Sequence, residues 1–144
     1  MRFVRPAGPI AAVLILALSA CTDVVGLDDE EQDAGCVTRS IQIGQAVPAS
    51  LSAFDCVDEE FGTYVDWFEL VITATVTVDI VMESLEVDSY LEFYDEFDQF
   101  ITDDDDSAGN GNAWITVKLS PGVYYIAATS FDADEQGSYI LSVE

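Results

Sequence analysis

Apolar and polar residues alternate along most of the chain beyond Val37. In "SIQIGQAV" Ile41 and Ile43 are separated by polar partners, the period-two pattern of a half-buried strand. "DWFELVIT" follows, and then "ATVTVDIVMES", where Val76, Val78, Ile80 and Met82 share one face while Thr75, Thr77 and Asp79 share the other. In "SYLEFYD" Leu91 and Phe93 oppose Tyr90, Glu92 and Tyr94. "AWITVKL" aligns Ile115, Val117 and Leu119, "SPG" makes a turn, and "VYYIAATSF" and "SYILSV" complete the set. No stretch shows a convincing helical period. The β-branched and aromatic content suits pleated surfaces, so the pattern predicts an all-β, antiparallel β-sandwich of seven to eight strands.

The N-terminus has a different character. Arg2 and Arg5 precede an apolar run from Ile10 to Ala20, too short to span a bilayer as a helix but suited to a secretory signal. "LSAC", Leu18 to Cys21, resembles the lipobox of bacterial lipoproteins. That resemblance implies cleavage after Ala20 and a diacylglycerol thioether on Cys21, with an ordinary secreted chain as the alternative. Residues 1–20 are therefore expected to be a signal, residues 21–35 ("CTDVVGLDDEEQDAG") an acidic flexible tether, and residues 36–144 the folded domain. An anchored chain of this kind belongs to the bacterial cell envelope. Thr22 is not the aspartate that retains many lipoproteins at the inner membrane, which points to the outer membrane.

Charge narrows the partners. Without residues 1–20 the basic residues are Arg39 and Lys118, set against all 28 acids. Such a chain repels nucleic acid and attracts cations. A hydrophobic fraction of 50% is too high for a disordered polymer, so a packed core is expected. With Cys21 set aside, Cys36 and Cys56 remain as a pair in a compartment where disulfides persist. A two-cysteine metal site is the rival, and with no histidine in the sequence it lacks ligands.

Several features in order carry a resemblance: "VDWFEL", "SLEVDSYLEFYD", the acidic glycine loop of "DDDDSAGNGNAWITVKL", the "SPGVYYI" turn and strand, and the closing "GSYILSV". Together they resemble the bacterial pre-peptidase C-terminal domain, over Ile41 to Val143. The resemblance implies a jelly-roll-like sandwich that is not itself catalytic and that aids secretion or holds an exoenzyme on a substrate or surface. Collagen-binding modules related to that family take calcium near their N-terminal edge. No residue-by-residue match to that site is found here, and it is not carried over. A lipid anchor rather than a peptidase domain is expected ahead of the module, which departs from the family's usual arrangement.

Candidate chemistry is sparse. The lack of histidine excludes serine–histidine and cysteine–histidine catalysis, and the single lysine, Lys118, lies in an expected strand. No enzymatic activity is expected. Asp103, Asp104, Asp105, Asp106 and Asn110, with Asn112, are candidate calcium ligands, since that cation takes six to eight oxygens. The spacing fails the EF-hand pattern, and short Asp and Asn side chains favour solvated turns for local reasons alone. Both readings stay open from sequence. "FDADEQGS" is a second acidic turn. Trp67, Tyr94, Trp114 and Tyr125, along with Tyr64 and Phe131, are candidate ligand-stacking aromatics, or else packing on covered faces. The expectation is a lipid-anchored binding or interaction module whose partner is an extracellular polymer or envelope protein. A structural envelope lipoprotein, or an accessory to a separately encoded exoenzyme, is the alternative.

Overall fold

The computed structural model describes residues 36–144. The signal and tether segments and the lipidation candidate Cys21 lie outside the described residues.

Ten strands make two stacked sheets: β1 (Thr38–Ile41), β2 (Gln45–Leu51), β3 (Cys56–Asp58), β4 (Thr63–Ile72), β5 (Val76–Ser84), β6 (Ser89–Asp95), β7 (Phe100–Asp104), β8 (Ala113–Leu119), β9 (Gly122–Ser130) and β10 (Gly137–Val143). The first sheet runs β1-β4-β9-β6-β7, with β3 also paired to β4, and the second runs β2-β10-β5-β8. This is the expected β-sandwich.

Three differences raise the strand number above seven or eight. "SIQIGQAV" is two strands rather than one. The chain breaks at Gly44, whose φ of 86° a side chain would resist, and passes from one sheet to the other. Ile41 is consequently buried in the core while Ile43 is 46% exposed. Cys56–Asp58 forms a short strand that no periodicity announces, because three residues are too few to show one. Asp103 and Asp104, expected in a loop, end β7, since pairing with Glu92 and Leu91 of β6 supplies their backbone partners. Nor is every pairing antiparallel: β1 runs parallel to β4, Thr38 against Trp67 through Ile41 against Leu70.

The core lies where the inner faces meet. Phe68, Leu70 and Ile72 of β4, Leu91 and Phe93 of β6 and Ile126 of β9 face Ile80 and Met82 of β5 and Leu141 and Val143 of β10. Each such burial contributes roughly 1.5–3 kcal/mol. β9 is central enough that Ala127 and Ala128, on opposite faces, are both fully buried.

The expected disulfide is present. Cys36 and Cys56 are bonded, with Cα atoms 4.7 Å apart. Cys56 pairs with Val65 of β4, and β1 pairs with β4 from Trp67 onward, so the bond ties together two short strands that share one edge of β4.

Candidate binding site

The aspartate run does not converge on a point. Asp103 accepts a hydrogen bond from the Tyr90 hydroxyl at 2.5 Å, across the β6–β7 ladder. Asp104 turns the other way and accepts from the backbone N–H groups of Ser107 (3.0 Å) and Trp114 (2.8 Å) and from the Ser107 hydroxyl. Its carboxylate thus closes the turn between β7 and β8. Gly109 and Gly111 adopt φ values of 78° and 71°, and Asn110 itself sits at 60°. It is Asn112, not Asn110, that reaches outward, its amide oxygen accepting from the Ser84 N–H at 2.8 Å. Among the described residues no three carboxylates or thiolates are grouped to hold a metal ion.

The outer face of the first sheet holds three of the four aromatic candidates. Alternation along β4, β9, β6 and β7 sets Trp67, Ala127, Glu92 and Asp103 in one row, and Glu69, Tyr125, Tyr94 and Phe100 in the next. Trp67 and Tyr94, candidate stacking residues with packing on a covered face as the alternative, are 3% and 5% exposed. They lie 5.8 Å apart between ring centres and pack with Cys56, Val65 and Ala127 in a second small core. For this pair the packing reading holds, the two rings clustering with the small Ala127 on a covered face. Tyr125 is half-buried beside them, and Tyr64 packs against the main core.

Glu92 was not anticipated as a buried acid. It is 3% exposed, and Tyr94 donates its hydroxyl to it at 2.9 Å. Burial pushes the Glu92 carboxyl up to about 7, and the charges of Asp58 and Asp103 add to that effect while the Tyr94 hydrogen bond opposes it. The available signal was an acid flanked at i±2 by tyrosines on the same strand face. Asp58 is buried as well, and a third buried acid, Asp66, lies on the inner face of β4. Its Oδ2 is 2.6 Å from Nη2 of Arg39 and 2.5 Å from the Tyr139 hydroxyl of β10, so the group bridges the two sheets. Burial raises the Asp66 carboxyl, with the Tyr139 hydrogen bond and the Arg39 charge acting against it. Asp66 and Glu92 occupy opposite faces of one sheet and cannot serve as an acid–base pair across one substrate.

Trp114 is different. It stands on the outer face of the second sheet, 45% exposed, and its indole N–H donates to Asp79 at 3.0 Å. The Thr116 hydroxyl donates to the same oxygen of Asp79 at 2.5 Å. These bonds, the Thr116 one first, hold the Asp79 carboxyl below its ordinary range. A partly exposed ring with its orientation set by an ionised partner is a preformed stacking surface.

No protein-family model matches this chain, and neither does any curated protein. Among solved structures it is similar to the pre-peptidase C-terminal domain of collagenase from Bacillus anthracis, at 17% identity and a TM-score of 0.58. The similarity covers 75% of this chain and 95% of that one. At this identity the likeness speaks for the fold, and the protein carries the β-sandwich fold of a pre-peptidase C-terminal domain.

Proposed function

We propose that the protein is a non-enzymatic binding module of the bacterial cell envelope, held to a membrane by lipid on Cys21. The observation that carries this reading is Trp114, half exposed on the outer face of the second sheet and fixed by Asp79. The likeness to a domain of a collagenase supports a role in holding rather than cutting. The chemistry agrees: the chain has no histidine, and Lys118 is exposed. Calcium has no assigned place in this reading, because Asp103 and Asp104 serve hydrogen bonds in different directions.

The test is retention of the soluble part, Thr22 to Glu144, on insoluble polysaccharides and on collagen. Retention that falls at least about tenfold on Trp114→Ala supports the reading, a change of about 1.4 kcal/mol. Uniform failure to bind would favour a structural envelope role. Metabolic labelling with a palmitate analogue, abolished by Cys21→Ala, tests the anchor, and labelling that survives the substitution would refute it. The accessory reading, in which the module keeps a separate exoenzyme at the surface, rests on the same fold likeness and predicts co-purification with that enzyme.

A further inference from the structure

The strand ends sort the loops into two sets, and the two sets differ chemically. Residues 52–55, 59–62, 85–88, 105–112 and 131–136 all leave strands at one end of the sandwich, as the pairings Leu51 with Gly137, Ser84 with Tyr139 and Ser89 with Ser130 require. These five segments contain ten carboxylates and no lysine or arginine. The opposite set, residues 42–44, 73–75, 96–99 and 120–121, contains two.

The acid-rich end also presents large apolar side chains to solvent. Phe54 is 86% exposed, Phe61 52%, Phe131 58%, and Leu85 is fully exposed. Scattered single apolar residues are ordinary on a surface, but several gathered on tethered loops are not. The loops are tied to one another. Asp134 N–H donates to the Gly62 carbonyl (3.0 Å), Ala53 N–H to the Gln136 side chain (3.3 Å), and Asp88 N–H to the Glu135 carboxylate (3.0 Å). Phe131 N–H reaches the Asp88 carbonyl (2.8 Å), and Ser89 N–H the Gly111 carbonyl (2.9 Å). The Phe131 ring rests edge-on against Tyr90, 6.3 Å between centres. A partner therefore meets apolar anchors whose loops are already ordered, which lowers the entropic cost of binding.

We infer that this end of the sandwich docks a basic polypeptide segment carrying apolar side chains, with Phe54, Phe61 and Phe131 as anchors and the surrounding carboxylates as a steering rim. The proposal goes beyond the Trp114 surface, although it rests on the reading of the chain as a binding module. Charge complementarity selects the occupant. Among the described residues, a second copy of the chain offers only Arg39, engaged with Asp66, and Lys118 against this rim. Anionic lipid headgroups would be repelled by the same carboxylates.

The test uses the full-length chain in phosphatidylcholine nanodiscs and short labelled peptides composed of lysine and leucine, lysine and serine, or glutamate and leucine. Fluorescence anisotropy, with empty nanodiscs subtracted, is expected to show binding of the lysine–leucine peptide alone. That binding should weaken at least tenfold between about 50 and 300 mM salt, as rim charges are screened. The triple variant Phe54→Ser, Phe61→Ser, Phe131→Ser keeps the charge and should lose about tenfold or more, whereas Phe97→Ser at the opposite end should not. Circular dichroism of each variant verifies the fold. Equal binding of the lysine–serine peptide, equal loss in the Phe97 variant, or no peptide binding would each overturn the proposal. So would docking of this end onto anionic vesicles. None of these results alters retention through Trp114, so the two readings fail separately.

Discussion

Replacing Arg39 with methionine removes the charge that neutralises Asp66 while keeping much of the stem that carries the guanidinium over Phe68, 4.5 Å from the ring centre. Asp66 would then hold its charge between the sheets with the Tyr139 hydroxyl as its remaining charge-compensating donor. Breaking one side of a buried pair costs about 3–5 kcal/mol. The Arg39 side chain is 38% exposed, so solvent screens part of the interaction and about 2–3 kcal/mol is expected. The pH dependence has a definite sign. Burial already raises the Asp66 carboxyl above its value of 3.8, and loss of Arg39 raises it further. Over that window the folded variant binds a proton that the unfolded chain has released, so its stability falls as pH rises. Urea unfolding, followed by the fluorescence of buried Trp67, should therefore show a larger deficit at about pH 8 than at about pH 5. In a domain of this size each kcal/mol is about 4–8 °C in Tm. The double variant Arg39→Met, Asp66→Leu should recover most of the loss, because it leaves no unpaired charge between the sheets. A deficit below about 0.5 kcal/mol, or one equal at both pH values, would refute the reasoning.

Glu92→Gln removes a second proton-linked term. Wild-type stability should decline as pH rises from about 4.5 through 7, and the variant should flatten that decline by on the order of 1 kcal/mol once screening is allowed for, read from Tm across pH. Cys36→Ser opens a loop of 20 positions and should cost about 3 kcal/mol, matching the Tm loss of the wild type under reductant. Gly111→Ala would set a Cβ 2.8 Å from the Asp88 carboxylate at a φ of 71°, and a loss of about 1–3 kcal/mol in urea unfolding is expected. Trp114→Phe should keep the sheet intact, with Tm within about 1 kcal/mol equivalent of wild type, because the ring lies outside both cores.

The strands with long, clean alternation were legible because each needs only its own residues to define a wet and a dry face. β5 and β8 illustrate this: Val78, Ile80 and Met82, and then Ile115 and Leu119, are buried where the period places them. The aromatics were not legible in the same way. Trp67 and Trp114 both occupy outward positions, yet one is covered and the other half exposed, since covering depends on the neighbours three strands bring together. The aspartates show the same limit. Asp103 and Asp104 are adjacent in sequence, but strand pleating points them to different partners, Tyr90 and the Ser107–Trp114 turn.

Composition and periodicity by themselves determined an all-β sandwich, a cysteine pair placed to be oxidised and a strongly acidic net charge, because burial period and net charge are sums over local residues. Tertiary structure alone decided the parallel β1–β4 edge, the burial of Asp66 and Glu92, and the gathering of acids and phenylalanines at one end. Those properties depend on which segments, distant along the chain, share a sheet row or a loop rim, and a one-dimensional pattern carries no term for that adjacency.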